Sequence, residues 1–116
     1  MKLLTSAIRA QARKQYHLGS DMEKQMIVAK FFDPVGSWTW YLMNIDEDLD
    51  YCWGIVNGFE VEAGSFSLNE LESIKLPFGL GTERDYYFKP VKAIDLWNEL
   101  NHLASLGIFW TQHLLF

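Results

Sequence analysis

Two strand-like segments joined by a turn constrain this fold more than any other feature of the chain. Residues 26–32, MIVAKFF, are rich in β-branched and aromatic side chains, and residues 37–44, SWTWYLMN, have the same character. Between them, DPVGS supplies a proline that fixes one φ angle and a glycine that permits a positive one, which is typical of a turn. The sequence therefore predicts an antiparallel hairpin whose apolar sides the rest of the chain has to cover.

The side chains of the second strand divide by their alternation. Trp38, Trp40 and Leu42 point to one side of a strand and Tyr41 to the other. Because the leucine continues the tryptophan row, that row is expected in the core and not on a ligand platform. Tyr41 is then the aromatic residue of this strand that we expect to contact a partner.

The remaining pattern predicts further elements on both sides of the hairpin. Ser67 and Glu70 have the spacing of a capping box, and Gly107 is suited to end a helix. The dipeptide of Asn57 and Gly58 favours a tight turn between two strands, although a bulge in one longer strand fits as well. The predicted elements are helices at 3–15, 67–75 and 91–106, and strands at 51–60, 61–66 and 85–90.

This order of elements indicates an α+β fold in one domain spanning residues 1–116. We expect an antiparallel β-meander of about four to five strands, with an N-terminal helix, a short middle helix and a C-terminal helix packed on one face.

Cysteine content and hydropathy bear on the compartment. Cys52 is the one cysteine, so the chain forms no intramolecular disulfide, and a reducing, cytoplasmic setting is the simplest expectation. The N-terminal residues lack the apolar run of a signal peptide, and no stretch reaches the roughly 18 apolar residues that span a bilayer. A membrane role is therefore not expected.

Charge is unevenly distributed along the chain. The first 20 residues contain four bases and no acid, whereas the remainder carries all 15 acidic residues against six of the ten bases. A net charge of -5 makes general affinity for nucleic acid less expected than a protein partner. The basic start is expected to pack or pair with the acidic body.

An acidic connection follows the hairpin at residues 45–50. Its aspartates alternate as at the start of a calcium loop, but Tyr51 and Asn57 stand where that loop needs a glycine and a glutamate. We therefore expect no metal or cofactor there, and a solvated turn whose acids can contact a partner. These candidate contact residues are Asp46, Glu47, Asp48 and Asp50.

The charged string at residues 83–85 is a second candidate. Arg84 between Glu83 and Asp85 can anchor its loop through a bidentate pair or can recognise a partner, and the anchor is the favoured interpretation. No phosphate-binding loop, metalloprotease motif or catalytic residue emerges from the sequence, and the histidines are expected at the surface.

Five motifs stand out along the chain: the MKLLT start, KFF-P-G-WTWY at 30–41, FSL-ELESI at 66–74, P-GLG-ERD at 77–85 and FKP at 88–90. Together they resemble a family of small bacterial proteins classed as a domain of unknown function. The resemblance covers about residues 1–92 and implies no catalytic residue. It implies a context, since members are common on plasmids, integrative elements and phage-related regions.

An apolar tail at residues 107–116 lies outside this resemblance. Large apolar side chains at a chain end need cover, so the tail either folds back on the sheet or forms a homodimer interface. The candidate contact residues are Ile108, Phe109, Trp110, Leu115 and Phe116.

Three functions compete at this level. The first is a non-enzymatic interaction protein of a mobile element that binds a host or element protein through its acidic body, with an anti-restriction or anti-CRISPR inhibitor as a specific version. The second is a binder of single-stranded nucleic acid that stacks bases on the strand aromatics, although few basic residues flank them. The third is an enzyme with a site at residues 83–85.

Overall fold

The structure, a computed structural model, describes residues 3–46, 48 and 51–109. Within these residues, a five-stranded antiparallel sheet has the strand order β5-β4-β3-β2-β6, so β5 and β6 are its outer strands, and β1 pairs with β7 in a separate two-stranded sheet. The helices are α1 (Ser6–Lys14), α2 (Leu68–Ser73) and α3 (Ala93–Ser105). The strands are β1 (Met26–Ile27), β2 (Ala29–Phe32), β3 (Thr39–Ile45), β4 (Tyr51–Asn57), β5 (Val61–Ser67), β6 (Glu83–Arg84) and β7 (Val91–Lys92).

The central strand β3 organises the sheet. All seven of its residues are buried. It pairs with β2 and β4 in the hairpin and meander that the sequence predicts, with Trp40 opposite Phe31 on one side and opposite Val56 on the other. A strand buried on both faces requires cover on both.

One face of the sheet is covered by α1 and α2. Trp40 and Leu42 of β3 pack there with Ala12 of α1 and with Leu68 and Leu71 of α2. Both helices begin at capping residues, which satisfy backbone N–H groups that have no partner inside the helix. The Thr5 hydroxyl accepts from the Ile8 amide at 3.1 Å, and the Ser67 hydroxyl accepts from the Glu70 amide at 3.2 Å.

The opposite face is covered by α3. Tyr41 and Met43 of β3 pack there with Ala93, Leu96 and Leu100. The predicted α+β class and order of elements are confirmed, but the expectation that all helices lie on one face is wrong. Tyr41 and Met43 are large side chains, like Trp40 and Leu42 on the other face of β3. This face therefore also has to be covered by a helix.

The strand predicted at residues 85–90 is also wrong. The pairing lies just before it, in β6, where Arg84 is opposite Phe31 of β2. The Asp85 side chain then accepts from the Tyr87 amide at 2.9 Å and its carbonyl from the Phe88 amide at 3.3 Å. These local bonds compete with a ladder and turn the chain away from the sheet.

The β4–β5 hairpin turns one residue later than the dipeptide suggested. Asn57 remains in the ladder opposite Val61, so residues 58–60 form the connection. Gly58 donates to the Glu60 carbonyl at 3.1 Å across it. The hairpin is therefore confirmed, while a two-residue turn centred on Asn57 and Gly58 is not observed.

A buried glutamine joins the helical layer to the sheet backbone. The Gln15 Nε2 donates to the Met43 carbonyl at 2.8 Å and to the Met26 carbonyl at 3.0 Å. Its Oε1 accepts from the Met26 amide at 2.7 Å. Since buried backbone polar groups need partners, this side chain holds β1 against β3 at the end of α1.

Replacing Gln15 with leucine is expected to lower the free energy of unfolding by ~2–4 kcal/mol, because Met26 and Met43 lose buried partners. The matched control is Gln11→Leu, which changes an exposed glutamine of the same helix. Urea unfolding followed by circular dichroism measures both. Equal stability of the two variants would contradict the role assigned to Gln15.

Candidate interaction surface

The acidic connection is tied to the end of α1. One Asp46 carboxylate oxygen accepts from the Tyr16 hydroxyl at 3.1 Å, and the other accepts from the Asp48 amide at 2.8 Å. The hydrogen bond to Asp46, together with the charge of that carboxylate, raises the pKa of Tyr16. Asp48 is exposed. Glu47 and Asp50 lie outside the described residues.

Basic side chains share the groove beside this acidic turn. Arg13 and His17 line an open groove of about 470 Å³ together with Tyr16, Asp46 and Asp48. This placement agrees with the prediction that the basic start of the chain packs on its acidic body. The turn is therefore a mixed-charge surface and not a purely acidic one.

Arg84 anchors the N-terminal segment. Its Nη1 donates to the Leu3 carbonyl at 2.6 Å, and its guanidinium group lies 5.0 Å from the centre of the Tyr86 ring. The arginine thus ties the start of the chain to β6 through a backbone carbonyl, whereas the sequence suggested a pair with a carboxylate. Glu83 lies opposite Phe32 in the ladder.

Asp85 lies near a buried charge that sequence reasoning missed. The Lys30 side chain is 0% exposed, with its Nζ 4.0 Å from the Asp85 Oδ2 and 5.8 Å from the centre of the Tyr41 ring. Burial lowers the pKa of Lys30, and the Asp85 carboxylate partly opposes that shift. A lysine inside an apolar strand gives no sign of its partner, because Asp85 is far away in sequence.

A small cleft of about 180 Å³ adjoins Arg84 and Asp85. Its lining residues in the described part of the chain include no histidine and no cysteine. In this fold Arg84 is bonded to the Leu3 carbonyl, and Asp85 lies beside Lys30 and accepts a hydrogen bond within its own turn. Besides Arg84 and Asp85, the lining is Ile8, Val28, Ala29, Tyr86 and Phe88.

Tyr41 is not a surface residue. It is 0% exposed, and its ring packs 6.2 Å from the ring of Phe88. The prediction that Tyr41 contacts a partner is wrong, because α3 and Phe88 cover the face that the sequence left open. Trp40 is buried as predicted, and Trp38 is half-buried.

An aromatic patch with two acids lies where the β4–β5 hairpin turns. Phe59 is 86% exposed, and its ring meets the ring of Trp38 edge-on, with centroids 5.3 Å apart. The two rings belong to a cleft of about 190 Å³, which we call the aromatic–acidic cleft. It is lined by Trp38, Val56, Gly58, Phe59, Glu60 and Glu62.

Strand register and one glycine build this cleft. Glu62 lies opposite Val56, which lies opposite Trp40, so these side chains share one face of the sheet. A Cβ on Gly58 would stand 2.7 Å from the Trp38 ring, so the ring rests directly on the backbone of the turn. Sequence reasoning missed this site. The signal present in the sequence was Phe59, an aromatic residue directly after the turn dipeptide of Asn57 and Gly58.

The start of the apolar tail lies near the same hairpin. The Phe109 carbonyl accepts from the Asn57 side chain at 2.9 Å, and the Ile108 amide donates to the Leu103 carbonyl at 2.9 Å. Ile108 and Phe109 are nevertheless exposed. Trp110, Leu115 and Phe116 lie outside the described residues.

The described residues contain neither a metal-binding cluster nor a membrane-spanning helix. No three histidine, cysteine or acidic side chains group there as they would around a metal ion. No helix among them has both the length and the apolar character needed to cross a membrane.

Comparison with protein families identifies a match over most of the chain. A family model described as "Protein of unknown function (DUF2958)" matches residues 2–106, which extends past residue 92 and includes α3. No curated protein and no solved structure matches the chain.

Replacing Lys30 with methionine is expected to remove a component of the pH dependence of stability. Folding lowers the pKa of Lys30 from its usual 10.5. At pH values between the pKa of the folded state and that of the unfolded state, the unfolded chain binds more protons, so the free energy of unfolding rises with pH. The wild type should therefore gain stability relative to K30M as pH rises towards 10.5, the usual pKa of lysine.

Urea unfolding at several pH values measures this difference. Lys24→Met, which changes an exposed lysine, is the matched control and should follow the wild type. Parallel curves for the wild type and K30M would contradict the assignment of a buried, destabilised ammonium group.

Proposed function

We propose a function for this chain, which belongs to the DUF2958 family of proteins of unknown function: it is a non-enzymatic protein-interaction module that binds its partner through an acidic surface. The observation that supports this proposal is the aromatic–acidic cleft, where Phe59 is 86% exposed beside two carboxylates. The single cysteine, Cys52, is buried and unbridged, which supports a cytoplasmic setting.

An exposed aromatic residue held in one orientation is suited to binding another protein. Phe59 leaves most of its ring in water, where apolar surface is costly, while Trp38 supports it from one side. Aromatic anchors that need little ordering on binding contribute much of the energy of protein interfaces. The cleft therefore has the character of an interface centre.

The charges around Phe59 select the kind of partner. Glu60 and Glu62 are exposed beside it, and the chain carries a net charge of -5. Complementary charge steers association and suppresses wrong partners. The surface is thus suited to a protein with a basic patch.

A narrower version of the proposal places the protein on a bacterial mobile element as an inhibitor of host defence, with anti-CRISPR or anti-restriction activity. Proteins of such systems bind nucleic acid through basic surfaces, which an acidic protein can occupy in its place. The supporting feature is the excess of acids after residue 20. Expression of the protein in cells challenged with phage tests this version, and unchanged restriction and CRISPR interference would contradict it.

The competing candidates have less support from the site. Stacking of single-stranded nucleic acid needs exposed rings beside basic groups. Trp40 and Tyr41 are buried, and the exposed Phe59 lies in a cleft lined by two carboxylates, which repel phosphate. An enzyme centred on residues 83–85 would need a free Arg84, which instead donates to the Leu3 carbonyl.

A second copy of this chain is a further candidate partner. Leu106, Ile108 and Phe109 form an exposed apolar run at the end of α3. If this run is a homodimer interface, light scattering will give a mass near twice 13.5 kDa, and Leu106→Lys will lower it towards the monomer. A monomeric mass for the wild type at high concentration would exclude the homodimer.

Replacing Phe59 with alanine is expected to weaken binding of the protein partner roughly 30-fold, the effect of losing an interface hot spot. Phe78→Ala is the matched control, since Phe78 is 96% exposed elsewhere on the surface. Affinity capture from host lysate with quantitative mass spectrometry compares the two variants with the wild type.

The expected result is one protein that the wild type and F78A retain and F59A loses. Because Phe59 is exposed, F59A should unfold at the same urea concentration as the wild type, which separates lost binding from lost folding. Equal recovery of every captured protein by F59A and F78A would contradict the proposal.

A further inference from the structure

We infer that the aromatic–acidic cleft is a receptor for a single arginine side chain presented by the partner protein. The inference rests on the proposed function and makes it specific, because it names the group that enters the cleft. It is argued from the size of the cleft, its two rings and its two carboxylates.

The size of the cleft suits one side chain. Its volume of about 190 Å³ is smaller than the ~300–1,000 Å³ of most pockets for small organic ligands. It lies on the face of the sheet that carries Val56 and Glu62, and no residue of α1 or α2 is among its lining. A long, unbranched side chain can lie along such a cleft with its backbone outside.

The rings suit a flat cation. Phe59 offers the exposed ring face that attracts a cation. Trp38 is held in place by the Gly58 backbone against its ring and by Trp40 at 6.0 Å, so it gives Phe59 a fixed support. The two rings meet at a steep angle of 84°. A planar guanidinium group can stack on the exposed Phe59 ring while its aliphatic stem contacts the edge of Trp38.

The carboxylates complete the match. Glu60 and Glu62 both line the cleft, and its lining contains no lysine or arginine among the described residues. A guanidinium group presents five N–H donors in a fork that pairs with a carboxylate through two hydrogen bonds. Lysine offers a compact, strongly hydrated ammonium group, which neither stacks nor forms that fork, so arginine is the better occupant.

Three short peptides test the inference. They are identical except at the central residue, which is arginine, lysine or citrulline, the last being the uncharged counterpart of arginine with nearly the same shape. Each is titrated into the full-length ¹⁵N-labelled protein and followed by NMR. Saturable shifts at the amides of residues 58–62 and at the Trp38 indole are expected with the arginine peptide, which should bind at least roughly five-fold more tightly than the citrulline peptide.

Variants separate the contributions of ring and charge. Phe59→Leu removes the ring but keeps an apolar side chain, and Glu62→Gln removes one charge; each should weaken the arginine peptide roughly five-fold. Glu99→Gln changes an exposed acid of α3 and should leave binding unchanged. The side chains of Phe59, Glu62 and Glu99 are all exposed. An NMR spectrum that is unchanged away from the substituted residue verifies that each variant is folded.

Each remaining outcome counts against the inference. Equal binding of arginine and citrulline peptides, equal binding of arginine and lysine peptides, or shifts outside the cleft would each overturn it. The proposed function has its own test: it fails if F59A and F78A recover every captured protein equally. Loss of the partner in F59A without binding of any peptide would retain the interaction module and refute the arginine receptor.

Discussion

The burial of β3 on both faces is the constraint on which the rest of the structure depends. A strand without an exposed face leaves its neighbours and the helices to supply two separate apolar layers, one from α1 and α2 and the other from α3. It also leaves polar groups at its ends that must find partners without water. Asn44 meets this need by donating to the Gly19 carbonyl and to the Gln25 side chain, both at 2.9 Å, and Gln15 does so for Met43.

With both faces of β3 covered, the surfaces of the sheet that remain open lie at its margins. The outer strand β6 is occupied by structural ties, since Arg84 holds Leu3 and Asp85 lies against Lys30. The acidic turn shares its groove with Arg13 of α1. The end of the β4–β5 hairpin differs, because there the aromatic row of the core continues past the helices and reaches solvent at Trp38 and Phe59.

Features set by local chemistry could be predicted from the sequence, whereas features set by long-range packing could not. The first hairpin, the Ser67 cap and the end of α3 at Gly107 each follow from residues within one turn of the feature. Helical periodicity identifies an apolar stripe but does not say which face of a sheet receives it, so Tyr41 was misplaced. Lys30 and the aromatic–acidic cleft depend on partners that only strand register brings together.

The position of Glu62 on β5 has a consequence for how this surface can change over evolution. β5 is an outer strand, and outer strands invite pairing with other chains unless charged side chains discourage it. Glu62 is a charged side chain of the kind that discourages such pairing, and it also lines the cleft. A substitution that made this position apolar would therefore change the cleft and at the same time remove a charge from an outer strand.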